Sequence, residues 1–329
     1  MRRAGAIRLA LTAGLLAAGA FSVSAQVSRE TLSRANAALQ AGEADKAISL
    51  LQSIPASGAG VAEAHNLLCR VRFILEQWNT AAQECERAVQ LDPQNSDFHM
   101  WLGRALGEKA SRASFLTAFS LGKRTRSEFE EAVRLNPRNA AALADLGEFY
   151  DSAPGIVGGG LDKAEKVAAQ LDEIDPPRAH ELRAHIAEAR KDYATADREF
   201  KQAIAVSPHP AFQWSSLASF CRRRRRWEEL DWAIQNCVSA AAKDRHAGVA
   251  LYNGASVLIQ ANRNPELAAR MIEDYLAGAS KTEEAPTFVA YVRLARLKQK
   301  LGDPAGAERE WQKARALASE YKPAWDSKH

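Results

Sequence analysis

Cysteine is scarce, four among 329 residues, and methionine scarcer still at three. So few thiols exclude a small disulfide-built scaffold, and 19 glycines with 12 prolines exclude a collagen-like or low-complexity chain. Excess charge of one sign is also missing: 44 Lys and Arg face 40 Asp and Glu, and Arg2, Arg3 and Arg8 account for most of the difference. That balance excludes a dedicated nucleic-acid binder, so nucleic acid is not an expected partner. Beyond Gln26 no apolar run approaches the ~18 residues a membrane span needs.

What is present begins with a processing signal. Arg2, Arg3 and Arg8 give a positive start, Leu9 to Phe21 an apolar run, and Val23-Ser24-Ala25 the small residues a signal peptidase reads before Gln26. Residues 1–25 are expected to be a cleaved signal peptide, leaving residues 26–329 exported, to the periplasm or beyond the cell, with no stable membrane insertion. An uncleaved anchor is the competing reading.

The remaining chain is punctuated by proline. Ala88–Pro93, Ala132–Pro137, Leu171–Pro176 and Ala203–Pro208 are variants of one phrase, and the interval between their prolines shortens along the chain. A unit of about 34 residues, interrupted by insertions, is the mark of a repeat array. Within each unit apolar residues recur at three- and four-residue intervals on both sides of a break such as Gly302-Asp303-Pro304, so each unit reads as two antiparallel amphipathic helices.

Leu146-Gly147 with Phe149 and Tyr150, Leu102-Gly103, and Trp214 with Leu217-Ala218 resemble the first helix of the tetratricopeptide repeat. Trp78 to Pro93, Tyr193 with Ala196, Phe200, Ala203 and Pro208, and Gly302-Asp303 with Ala307, Trp311 and Ala314 resemble its second. The resemblance covers about eight units from Ser33 to Ala324. It implies an all-α fold, a right-handed α-solenoid of helix-turn-helix repeats occupying 26–329 as one continuous domain. Ala81, Ala164, Ala196, Ala268 and Ala307 recur where only a methyl group lets two helices approach, and Gly103 and Gly147 serve the same end from the first helix. Stacked pairs of this kind build a curved, extended solenoid.

Two insertions, near 107–125 and 153–160, break the period. Phe115, Leu116, Phe119 and Leu121 suggest a lengthened helix whose stripe adds to the core, with a docking patch as the second reading. The glycine-rich Ala153–Gly160 reads as a structural loop ahead of an anion site, because no strand precedes it and no Lys-Ser/Thr follows. The cysteines fall in two equally spaced pairs, each straddling one helix pair. Cys69 and Cys85 are placed to face each other and form a disulfide; Cys221 and Cys237 are out of register by a turn, and buried free thiols are the competing reading for both.

No catalytic, cofactor or metal site emerges. His180 and His185 are five apart, roughly 140° around a helix, too divergent to share one metal. Gly122-Lys123-Arg124-Thr125 lacks most of a phosphate loop, and no Gly-x-Ser-x-Gly turn occurs. Glu228-Glu229 and Glu283-Glu284 read as solvated faces of charged helices.

The expected function is therefore a non-enzymatic scaffold that holds a protein or peptide partner; an envelope accessory presenting glycan, lipid or an anionic polymer to a separate enzyme is the alternative. In the tetratricopeptide family the partner lies along the concave face. Residues two before and two after each first-helix Leu would form that face: Asn66 and Arg70, Met100 and Arg104 with Trp101 beside them, Ala144 and Glu148 with Asp145, Ser215 and Ser219, and finally Val292 and Arg296 with Arg293. Asn66, Arg70 and Arg104 around Trp101 loosely resemble the family's carboxylate clamp. The arginine run Arg222, Arg223, Arg224, Arg225 and Arg226, at a turn between helices, is a secondary basic patch or a solvated turn.

Overall fold

The computed structural model describes residues 26–326, and the expected signal segment lies outside them. Eight antiparallel helix pairs fill the described residues. They are residues 26–40 (α1) with Ala44–Gln52 (α2), Val61–Ile74 (α3) with Trp78–Leu91 (α4), and Ser96–Ala110 (α5) with Phe115–Leu135 (α6). Ala140–Ser152 (α7) pairs with Leu161–Leu171 (α8), Pro176–Ala189 (α9) with Tyr193–Val206 (α10), and Ala211–Arg223 (α11) with Trp227–Ala241 (α12). Gly248–Ala261 (α13) with Pro265–Ala277 (α14), then Thr287–Lys300 (α15) with Pro304–Leu317 (α16), complete the series, and no strand occurs among the described residues.

Local chemistry sets these boundaries. Pro93, Pro137 and Pro208 follow the ends of α4, α6 and α10, since proline can neither continue the backbone ladder nor allow a helical residue before it. Pro176 instead opens α9, where its missing N–H costs nothing, and Asp175 caps it by accepting from the Arg178 N–H. Asn95, Asn139, Asp192, Asn264 and Asp303 cap α5, α7, α10, α14 and α16 in the same way. Gly42, Glu76, Lys191, Arg225, Asn262 and Gly302 all take the left-handed conformation in the turn from first to second helix, so one turn geometry recurs around the molecule.

Ala81, Ala164, Ala196, Ala268 and Ala307 are completely buried, as close helix packing requires. A Cβ on Gly103 would sit 2.5 Å from Phe129, and one on Gly147 2.4 Å from Leu182, so neither position has room for one.

The solenoid is not open-ended. Its two ends meet, which corrects the expectation of an extended array. Leu39 and Leu67 share one buried cluster with Phe288, Val292, Trp311 and Tyr321. Gly42 lies so close to the start of α15 that a Cβ would fall 2.6 Å from the Thr287 nitrogen. The Ser319 N–H donates to both Asp45 oxygens at 3.1 and 2.9 Å, Arg72 donates to Glu320 at 2.7 Å, and the Tyr321 hydroxyl reaches Glu76 at 3.3 Å. These contacts join the first two repeats to the segment after α16, so eight pairs complete one closed turn.

Cys69 and Cys85 are joined by a disulfide across α3 and α4, with Cα atoms 5.2 Å apart. Cys221 and Cys237 are free and buried; the Cys237 thiol points instead to the Ala250 carbonyl of the next repeat, 3.5 Å away. Burial pushes their thiols up to about 11 and about 12, which leaves them protonated and unreactive at neutral pH.

Candidate interaction surface

First helices face the interior of the closed turn, among them α3, α5, α7 and α9, whose side chains border the cavity and the ion pairs there. On α3 and α5, Trp101 lies between two guanidiniums, with Arg70 Cζ 5.3 Å and Arg104 Cζ 4.5 Å from its ring. Both cations are occupied. Residues 278–286, between α14 and α15, cross the interior and deliver Glu283 to Arg70, with Nη2 to Oε1 at 2.5 Å and Nε to Oε2 at 2.9 Å. Gln40 holds the same glutamate from the first repeat, its Nε2 donating to Oε1 at 3.1 Å while its Oε1 accepts from the Glu283 N–H at 3.2 Å. The ion pair is largely shielded, with side chains 15% and 11% exposed. Arg104 donates to Asp145 of α7 from Nε at 2.5 Å and from Nη2 at 3.2 Å.

Glu283-Glu284 therefore does not lie on a solvated helix face as expected. It belongs to a loop folded into the interior, because the ring closure carries that loop across to α3. Asn66 and Trp101 are 3% and 7% exposed, so of the expected clamp only the two arginines keep polar surface, and the chain's own carboxylates cover them.

Farther along, α7 and α9 border a cavity of about 460 Å³. Asp145, Glu148 and Asp151 face it from α7, Arg178, Glu181 and His185 from α9, and Glu284 from the crossing loop. Asp145 is held by Arg104, but the other carboxylates of α7 and α9 are poorly compensated. Asp151 Oδ1 and Glu181 Oε1 are buried without a hydrogen-bond partner, and Glu148 has no ion pair among the described residues. Burial raises the carboxyls of Asp145, Glu148 and Asp151 above their ordinary range and pushes Glu181 up to about 7. His185, stacked edge-on against Phe200, is held below its usual value by burial and stays neutral at pH 7. Arg178 is engaged with Asp175 at 3.2 Å.

The fold has known counterparts. No protein-family model matches the chain. A thermophilic TPR protein of Thermus thermophilus superposes on 59% of this chain and 98% of its own, with a TM-score of 0.50 and 20% identity. Yeast Tom70 covers 86% of this chain and 57% of its own, with a TM-score of 0.53 and 15% identity. The chain has the tetratricopeptide-repeat fold. In sequence, 126 residues are 28% identical to the mouse Superkiller complex protein 3, a match that takes in 36% of this chain and spans only 7% of that protein's length.

Other expected site residues of this tetratricopeptide solenoid lie apart from the cavity. Arg293 and Arg296 border a separate hollow of about 270 Å³ with Lys300, and Arg293 is bonded to Ser256 and stacked on Tyr252. The arginine run is mostly consumed by its own neighbourhood. Arg223 pairs with Glu188 at 2.7 Å, Arg226 with Asp197 at 2.8 Å and also with Glu229, and Arg224 stacks 3.5 Å from the Tyr193 ring. The partners of Arg223, Arg224 and Arg226 lie on α9, α10 and α12, so the run is divided among its neighbours.

Three histidines clasp the two helices of their repeats, His65 with Glu84, His99 with Glu128 and His180 with Glu199, each at 2.7 Å. In the 153–160 loop, the N–H groups of Gly158, Gly159 and Gly160 donate to Gly155, Pro154 and Tyr150, so none is offered to an anion. Among the described residues no group of His, Cys, Asp and Glu could hold a metal, and no helix is long and apolar enough to cross a membrane.

Sequence reasoning missed Asp151, Arg178, Glu181, His185 and Glu284. A signal existed for α9, where Arg178, Glu181 and His185 fall at i, i+3 and i+7, one polar stripe along one helix face.

Proposed function

We propose that the chain is a non-enzymatic interaction scaffold of the cell envelope that accepts a basic segment of a protein partner at the acid-lined interior between α7 and α9. The observation that carries this reading is the cavity of about 460 Å³ in which Asp151 Oδ1 and Glu181 Oε1 lack partners. Lys or Arg side chains inserted there would supply the hydrogen bonds and charge that the chain itself leaves out. Export rests on the residues before Gln26, and the tetratricopeptide fold favours a protein partner over a substrate. The clamp formed by Arg70 and Arg104 is not the preferred port, because Glu283 and Asp145 already fill it.

A fluorescein-labelled lysine- and arginine-rich peptide, titrated by anisotropy, tests the binding. Saturable binding that weakens at least tenfold in Glu148→Gln/Asp151→Asn/Glu181→Gln supports it. An acidic peptide binding instead, or equal affinity in the triple variant, overturns it. Export is tested separately by amino-terminal sequencing of protein from the envelope fraction. A start at Gln26 supports cleavage, and a start at Met1 overturns it.

A further inference from the structure

The two insertions are separate in the chain but come together at one edge of the ring. Helix α6 begins two turns early, and its first turns pack on Gly155–Val157, a short 3₁₀ segment of the second insertion. Val157 lies directly over Gly122, where an added Cβ would be 3.2 Å from its Cγ1. Between them runs an apolar slot of about 440 Å³ whose walls include Ala118, Phe119, Phe149 and Val157. The expected stripe of extra core is only half realised. Leu121 is buried, but Phe115 and Leu116 stand 75% and 79% exposed, and Ile156 beside them 62%. They project because α6 has outrun the neighbouring helices that would cover it.

Positive charge is in excess along this part of the chain. From Lys109 to Ser127 the chain holds Lys109, Arg112, Lys123, Arg124 and Arg126 and no acid. Arg112, Arg124 and Arg126 are partly offset by Glu108, Glu86 and Glu130. Lys109 and Lys123 have no carboxylate partner among the described residues, and Lys123 Nζ lies 4.3 Å from the Phe119 ring centroid, against the apolar slot itself. Projecting Phe115, Leu116 and Ile156, with Lys123 beside the slot and Lys109 near the end of α5, match a bilayer interface, where apolar side chains enter the acyl boundary and cations meet phosphate. Phe115 and Ile156 also border the slot, but they are largely exposed, and the cation of Lys123 against it favours an anionic surface over a purely apolar partner helix.

We propose that this edge docks on an anionic membrane surface, with Phe115, Leu116 and Ile156 as the inserting residues and Lys109 and Lys123 at the headgroups. The surface is separate from the interior cavity, so the two are testable one at a time. The full chain is sedimented with vesicles of equimolar phosphatidylcholine and phosphatidylglycerol, and with phosphatidylcholine alone. Co-sedimentation is expected with the anionic vesicles, at least tenfold stronger than with the neutral ones. It should fall when salt rises from about 0.1 M to about 1 M and the screening length shrinks from about 10 Å to about 3 Å. Phe115→Ser/Leu116→Ser/Ile156→Ser should lose at least tenfold in partitioning, and Lys109→Gln/Lys123→Gln several-fold. All five positions are outside the buried core, and unchanged melting temperatures confirm that the variants remain folded. Equal sedimentation with both vesicle types, or a triple variant that still binds, overturns the proposal. A concentration-dependent dimer that the triple variant abolishes, without vesicle binding, also overturns it and makes the edge a contact between copies of the chain.

Discussion

Two arcs of the interior are built from equivalent first helices yet end in opposite states. Along α3 and α5 the two interior arginines are answered within the chain: Arg70 by Glu283, Arg104 by Asp145, with Trp101 held between them. Along α7 and α9 the carboxylates Glu148, Asp151 and Glu181 crowd a cavity with little to neutralise them. The first arc is an internal joint that pins a loop and helps close the ring. The second stores unfavourable electrostatics that a cationic partner would relieve. A charged residue on a concave face is thus available for binding only when the fold brings no counter-charge to it, and that is a property of the closed structure.

The comparison can be broken first at the disulfide, which braces the α3 arc and has no counterpart in the other. Opening the loop between Cys69 and Cys85 with a reductant should cost about 3 kcal/mol, read as a lower urea midpoint. Thiol counting on the denatured, unreduced chain should find two groups, Cys221 and Cys237. Four free thiols would show that the brace is not formed.

Arg70→Ala attacks the same arc from its charge. It strands the Glu283 carboxylate with Gln40 alone, and loss of one partner of a well-shielded pair should cost about 2–3 kcal/mol. Glu283→Gln should cost less, about 1 kcal/mol, because a neutral amide can still bond Gln40. A loss below about 0.5 kcal/mol for Arg70→Ala would mean that the loop is not held there.

Much of the fold was legible in the residues. The proline phrases, the recurring alanines and the Leu-Gly pairs are local features with local consequences, and each fell in its expected helix. Closure of the ring was not legible, because its contacts join Gln40 to Glu283 and Asp45 to Ser319, and no periodicity reports pairings at that distance. The candidate site suffered for the same reason. Arg70 and Arg104 had the right residue types at the right register, but what faces them comes from elsewhere in the chain. Glu181 stood out only as part of the polar stripe on α9, and its importance comes from burial, which composition does not encode. Phe115 and Leu116 fit the helical stripe; their exposure follows from the length of α6 relative to its neighbours, again a tertiary property.

Neutralising the second arc should have the reverse signature to breaking the first. Glu148→Gln/Asp151→Asn/Glu181→Gln removes uncompensated charge, so stability should hold or rise by about 1 kcal/mol while affinity for the basic peptide falls about tenfold, roughly 1.4 kcal/mol. A joint loss of stability and binding would show instead that these carboxylates are structural.

The finest discriminator is the pH dependence of Glu181. Unfolded, its carboxyl titrates near the ordinary 4.5; folded, burial moves it to about 7. Between those values the unfolded chain has released the proton and the folded chain keeps it. Stability must therefore fall as pH rises from about 4.5 to about 7 and level off above. Because the side chain keeps some access to water, this contribution should be about 1–2 kcal/mol, and Glu181→Gln should remove it. Binding runs the other way. A cationic peptide prefers the ionised carboxylate, so affinity should rise over the same interval and flatten in Glu181→Gln, with residual slope from Asp145, Glu148 and Asp151, which burial shifts in the same direction. His185 adds little near pH 7, since burial keeps it neutral there. If the variant retains the full pH dependence of both stability and binding, the uncompensated charge of the second arc resides on α7 alone.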